Sequence, residues 1–139
     1  MTDILIVEDN PVNQKLIAFL LARAGYSYEV ADNGKTALEK LEREPFKLVL
    51  MDMMMPVMNG YDATKAIRQN PRLQHLPVIA LTANAMRGED ERCRAVGCDE
   101  YLSKPYSKSQ ILSVIDHQLK RAARRTGSGS GTVKFPTKE

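Results

Sequence analysis

A chain of 139 residues has room for one compact domain with one core. Hydrophobic residues at 43% and charged residues at 27% are the balance of an ordinary soluble globular protein, and no apolar run approaches the roughly 20 residues of a membrane span. A formal net charge of +3 is too small to point to nucleic acid.

In chain order, Met1-Thr2-Asp3 carries no basic segment and no cleavage site, so no export signal is read and a cytoplasmic location is expected. Ile4-Leu5-Ile6-Val7 is a continuous apolar run, which suits a strand buried on both faces. Asn10-Pro11 opens a helix, with Asn10 as N-cap and Pro11 pre-set for the first helical position. That helix carries Leu16, Ile17, Leu20 and Leu21 on one side and stops at Gly25. Residues 26–31 read as a second strand. Asp32-Asn33-Gly34 is a turn that caps a helix with Ala37, Leu38 and Leu41 inward, and Pro45 ends it. Leu48-Val49-Leu50-Met51 is the third and most hydrophobic strand. A loop with Pro56, Asn59 and Gly60 leads to a helix with Ala63, Ala66 and Ile67, closed by Asn70-Pro71. Pro77-Val78-Ile79-Ala80-Leu81 is a fourth strand, residues 86–96 a helix of weak apolar character, and residues 99–102 a fifth strand. The last helix is expected over residues 108–124, with Ile111, Ile115, Leu119 and Ala122 on one face.

Strand–helix repeats of this kind predict an α/β fold with a parallel sheet covered on both sides. Residues 1–125 form the expected domain. Residues 126–139 read as a flexible Gly/Ser linker and a polar tail. Lys120, Arg121, Arg124 and Arg125 read as a solvated helix end, and His75 and His117 as isolated surface or packing residues. Cys93 and Cys98 fit neither a CxxC redox motif nor a zinc site. They read as reduced packing cysteines, and nothing at this level supports a regulatory disulfide.

In a parallel α/β sheet the functional crevice lies at the carboxyl ends of the strands. The polar residues there are few: Glu8-Asp9 after strand one, Asp52 after strand three, Thr82 after strand four and Lys104 after strand five. Neighbouring strands lie about 4.8 Å apart, so these groups are able to converge. Three carboxylates at one edge repel, by roughly 4 kcal/mol per pair at about 4 Å and an effective dielectric near 20. Either carboxyls hold protons or a cation binds. Oxygen-only ligands favour a hard cation such as Mg²⁺. With Lys104 as a second positive charge and the Thr82 hydroxyl as a donor, the set suits transfer of a phosphoryl group to a carboxylate. Asp52 is the central carboxylate. Glu8 and Asp9, adjacent in sequence, are better placed as a metal-binding pair. The methionines around Asp52 read as packing and loop residues, since hard Mg²⁺ rejects thioethers.

Ile6-Val7-Glu8-Asp9-Asn10, Leu50-Met51-Asp52-Met53-Met54-Met55-Pro56, Leu81-Thr82-Ala83 and Tyr101-Leu102-Ser103-Lys104-Pro105 together resemble the receiver domain of bacterial response regulators, over about residues 3–122. The resemblance implies a flavodoxin-like (βα)5 three-layer sandwich with a five-stranded parallel sheet in the order 2-1-3-4-5. It implies that Asp52 is the phosphoacceptor and that Asp9, Asp52 and the backbone carbonyl of Met54 ligate Mg²⁺, or Mn²⁺ in its place, with Glu8 acting through water. Thr82, Ala83 and Lys104 would bind the phosphoryl group, and Lys104-Pro105 would be a cis peptide. Tyr101 would turn inward when Thr82 moves. The implied donor is a phosphohistidine on a histidine kinase or a histidine phosphotransfer domain, docked beside the first helix. The implied output is a downstream protein on the face made by residues 86–96, the fifth strand and the last helix. A monomer or weak dimer without nucleic-acid or membrane partners is expected. The chain would catalyse only its own phosphorylation and dephosphorylation.

The same residues weigh against three rivals. A Mg²⁺-dependent phosphatase with an aspartate nucleophile would want a second Asp two residues on, where Met54 stands. A docking module that is never phosphorylated would have lost acidic residues or the lysine. A flavin-binding protein would want a Ser/Thr/Gly-rich loop after strand one, where Glu8-Asp9 would repel a phosphate.

Overall fold

The computed structural model describes residues 1–55, 57–82 and 88–128, the last four as backbone only. Ten elements alternate: β1 (Thr2–Val7), α1 (Pro11–Arg23), β2 (Tyr28–Ala31), α2 (Gly34–Arg43), β3 (Phe46–Asp52), α3 (Gly60–Gln69), β4 (Val78–Thr82), α4 (Glu89–Val96), β5 (Glu100–Ser103) and α5 (Lys108–Ser128). The strands form one sheet in the order β2-β1-β3-β4-β5, and every pair is parallel.

Period-two alternation along the strands divides the core in two. Leu5, Val7, Val49, Met51, Val78 and Ala80 face α2, α3 and α4 and pack with Ala37, Leu41, Ala63, Ile67 and Cys93. Ile4, Ile6, Leu48, Leu50, Ile79 and Leu81 face the other way, against Ile17 and Leu21 of α1 and Ile111 and Ile115 of α5. The apolar runs are therefore continuous because both faces are covered. Each Val, Leu, Ile or Met side chain so buried contributes about 1.5–3 kcal/mol.

Side-chain caps position the helices. Asn10 Oδ1 accepts from the backbone N–H groups of Val12 and Asn13 at 2.9 and 3.1 Å, with Pro11 at the first helical position. Asn33 and Asn59 cap α2 and α3 through Thr36 N–H and Asp62 N–H, each at 2.9 Å. Ser107 and Gln110 cap α5 reciprocally. Helix α4 starts at Gly88 with no side-chain cap, and Glu89, Asp90 and Glu91 in its first turn complement the helix dipole instead.

Several expected boundaries move by one or two residues, as strand ends do when pairing rather than pattern sets them. The second strand starts at Tyr28, because Ser27 is committed to reciprocal hydrogen bonds with Asp3. Residues 86 and 87, expected at the start of the fourth helix, lie outside the described residues. Helix α5 continues to Ser128, so Thr126, Gly127 and Ser128 of the expected linker are helical. No proline interrupts the chain there, and extending an existing helix costs far less than starting one. Arg121 and His117 also depart from expectation. Arg121 is buried rather than solvated and donates to Gln118 Oε1 at 3.3 Å. His117 is not isolated, because its Nδ1 lies 3.0 Å from Glu100 Oε2 on β5. A parallel edge strand has only one neighbour, and α5 side chains reach over to it.

Candidate phosphoacceptor site

Register decides what meets at the strand ends. Val7 is level with Met51, Asp52 with Leu81, and Thr82 with Ser103. The residues that come next or stand last, Glu8, Asp52, Thr82 and Lys104, therefore share one edge of the sheet. Lys104 N–H extends the ladder to the Thr82 carbonyl at 2.7 Å.

Glu8 is 1% exposed and Asp52 4%, while Asp9 is open to solvent. One oxygen from each of the three lies within 4.8 Å of the others. Lys104 Nζ stands 3.6 Å from Glu8 Oε1, an oxygen that is buried and accepts no hydrogen bond among the described residues. Glu8 Oε2 accepts from Asn10 N–H at 3.2 Å and from Asn13 Nδ2 at 3.5 Å. The first turn of α1 thus holds the buried carboxylate in place.

Asp52 Oδ1 accepts from the Met54 backbone N–H at 3.1 Å. Gly60, at the start of α3, comes so close that an added Cβ would stand 2.6 Å from the Asp52 carbonyl and 2.7 Å from Met53 Cα. Only glycine allows that approach. Burial, then the charge of Glu8, pushes the Asp52 carboxyl up to about 7, against the opposing pull of Met54 N–H and Lys104. The Tyr106 phenol is pushed up to about 12, by burial first and then by Glu8 and Asp52. Thr82 is fully buried, and the Lys104–Pro105 peptide is cis. Tyr101 is half-buried against the core on the α2, α3 and α4 side. Met54, where a phosphatase would carry a second acid, is exposed. Ala83 lies outside the described residues.

Sequence reading missed two contributors. Gln14 Nε2 donates to the Glu8 carbonyl at 2.6 Å and to Asp32 Oδ1 at 2.9 Å, tying α1 to the ends of β1 and β2. Its one-turn spacing from Asn10 was the available signal. Tyr106 flanks the acids from beyond the cis proline, and no periodicity marks it.

Three carboxylates gathered against one lysine leave unmatched negative charge. Their oxygen-only donor set, with Glu8 Oε1 unbonded among the described residues, fits a hard divalent cation such as Mg²⁺. An edge of this kind is built to take a phosphoryl group onto a carboxylate.

Residues 4–116 match the response regulator receiver domain family, and the chain belongs to it. It is 42% identical over 127 residues to the sensor histidine kinase GacS of Pseudomonas protegens, covering 89% of this chain but only 14% of that kinase. It is 40% identical over 116 residues to the polar-differentiation response regulator DivK of Brucella anthropi, covering 84% of this chain and 94% of DivK. Among solved structures, the receiver domain of sensor histidine kinase PA1611 from Pseudomonas aeruginosa PAO1 superposes with a TM-score of 0.80 at 38% identity, covering 86% of this chain and 98% of that one. That receiver holds a magnesium ion coordinated in its active-site cleft. Receiver domains are phosphoacceptor switches of two-component signalling rather than enzymes in the ordinary sense. They take phosphoryl groups from histidine kinases and act on downstream partners.

Proposed function

We propose that Asp52 is the phosphoacceptor, with a phosphohistidine of a histidine kinase or histidine phosphotransfer domain as donor. An Asp52 carboxylate oxygen attacks phosphorus, the phosphorus–nitrogen bond breaks, and the imidazole leaves and takes up a proton. The product is an aspartyl phosphate. The observation that carries the reading is the convergence of Glu8, Asp9 and Asp52 within 4.8 Å, with Lys104 beside them. Asp9, Asp52 and the Met54 carbonyl would hold Mg²⁺, or Mn²⁺ in its place, with Glu8 acting through water, and the ion would offset charge on the phosphoryl oxygens. Lys104 exchanges Glu8 for a phosphoryl oxygen and the Thr82 hydroxyl donates to another; the small residue Ala83, next in sequence, completes the phosphoryl-binding set. Incubation with acetyl phosphate and Mg²⁺ should add one phosphoryl group to the intact mass, and none to Asp52→Asn. An unchanged wild-type mass, or an equal gain in the variant, removes the assignment.

The donor reading draws support from α1. Val12, Leu16 and Phe19 are more than half exposed, although large and apolar, and their spacing puts them on one stripe of the helix. Such a stripe beside the acid edge suits the apolar face of a helical donor. Phe19→Asp should slow transfer from a phosphorylated histidine phosphotransfer domain by about tenfold or more, the loss of one interface anchor. Uptake from acetyl phosphate should not change. Equal slowing with both donors would mean damage to the site instead.

Output runs through α4, β5 and α5. Thr82, drawn to the phosphoryl group, vacates space for Tyr101 and reshapes that face. The loose attachment of α4 supports this. It lacks a side-chain cap, and Cys93 is its one buried residue. Its hold on α3 includes a Tyr61 hydroxyl bond to Glu89 and the Arg92 guanidinium 3.8 Å above the Tyr61 ring. Few apolar contacts mark a segment of low local stability. No described helix is long and apolar enough to cross a membrane. A cytoplasmic chain, monomeric or weakly dimeric, with a receiver unit over residues 1–125 and no nucleic-acid partner, completes the reading.

A further inference from the structure

Cys93 and Cys98 sit where α4 turns into β5. Cys98 N–H donates to the Cys93 carbonyl at 3.1 Å and Gly97 N–H to the Arg94 carbonyl at 3.0 Å. Gly97 has a φ of 109°. This is the Schellman ending of a helix, in which the residue after the left-handed glycine folds back onto the last full turn. An apolar contact commonly closes that motif, and here Cys93 and Cys98 belong to the same buried cluster. Cys98 Sγ lies 4.0 Å from Thr64 Oγ1. No side chain fits at position 97, since a Cβ there would stand 2.6 Å from Arg68 Cγ. The turn that brings residues 93 and 98 side by side is therefore fixed at a glycine.

Both cysteines are free and buried, yet both line a surface cleft of about 150 Å³ together with Asp90, Arg94 and Tyr101. Packing cysteines alone do not require a pair that lines one opening. We propose that Cys93 and Cys98 form a two-electron thiol oxidation site, closed by a peroxide to an intrachain disulfide that fastens the end of α4 to the start of β5. Bridge formation needs residues close in space, and here a backbone hydrogen bond joins the two and both line one cleft. The neighbouring Cys98 thiol lowers the Cys93 thiol below its ordinary range, which makes Cys93 the attacking sulfur.

The Cys93 thiolate attacks one oxygen of hydrogen peroxide, the oxygen–oxygen bond breaks, and hydroxide leaves to become water. Cys93 is then a sulfenic acid. The Cys98 sulfur attacks the Cys93 sulfur, and its proton leaves with the sulfenic hydroxyl as a second water. Two electrons have passed from the sulfurs to the peroxide. Intracellular disulfides of this kind are typically transient and redox-sensing. The bridge lies on the face proposed for output, beside Tyr101, but its formation does not depend on the phosphoacceptor reading.

The chain contains two cysteines, which makes the readout simple. The full chain is treated with hydrogen peroxide, quenched with catalase, denatured and exposed to N-ethylmaleimide. The expected product has lost two hydrogens and takes no maleimide, and a phosphine reductant restores both reactive thiols. Cys93→Ser and Cys98→Ser should each abolish the two-hydrogen loss. Asp52→Asn should bridge as fully as wild type, so failure here is distinguishable from failure at the phosphoacceptor. Two maleimides retained after peroxide, or chains joined to one another instead of bridged within themselves, would overturn the proposal.

Discussion

Asp52→Asn is expected to stabilise the metal-free protein at pH 8, by roughly 2–4 kcal/mol. Folding buries this carboxyl beside Glu8 and lifts it from its ordinary 3.8 to about 7. Between those values the folded chain keeps a proton that the unfolded chain has released. The stabilising contribution is thus complete below about pH 4 and is lost as pH rises through about 7. Above that, the wild type holds two buried carboxylates side by side, and the asparagine amide removes one charge while offering Glu8 a donor. Urea midpoints in a chelator should therefore favour the variant at pH 8 and converge with wild type at pH 4. Mg²⁺ should shrink that advantage at pH 8, because an ion held by the folded acid cluster would contribute about 2.7 kcal/mol at a hundredfold excess over its dissociation constant, an amount of the same size. A variant less stable than wild type at pH 8 without metal would show that the acids do not oppose each other.

A loss of about 3 kcal/mol is expected for Arg68→Met. Arg68 Nε donates to the Gly97 carbonyl at 2.8 Å, and Nη1 to the carbonyls of Gln74 and Leu76 at 3.1 and 2.7 Å. Its Nη2 lies 2.8 Å from Asp99 Oδ2, the oxygen that also accepts Val78 N–H at 2.9 Å. One guanidinium therefore ties α3, the turn before β4 and the loop before β5 together. Methionine keeps the aliphatic stem but strands those carbonyls and the Asp99 charge. Asp99→Asn, which keeps an acceptor for Val78 N–H, should cost less. The double substitution should cost clearly less than the sum of the two singles, since the variants share one pair. Strict additivity in denaturant midpoints would mean that Arg68 and Asp99 act independently.

The fold was legible because a doubly covered parallel sheet writes itself as apolar runs separated by amphipathic helices. The register was not. Nothing in Leu48-Val49-Leu50-Met51 says that Met51 lies level with Val7, and a slip of one residue would carry Asp52 to the opposite face. The candidate acids, the hydroxyl and the lysine stood out as polar residues at apolar strand ends. Gln14, Tyr106 and Arg68 did not, because each acts on partners from 6 to 98 residues away in the chain.

By itself the sequence determined which residues are candidates for the chemistry and how the elements alternate, since local pattern and residue type are enough for both. Tertiary structure alone decided that Glu8 and Lys104 face each other, that Asp52 is pushed up to about 7, and that two cysteines five residues apart line one cleft. Those facts depend on burial and on distances across elements, and no stretch of chain encodes them until the sheet and its helices close together.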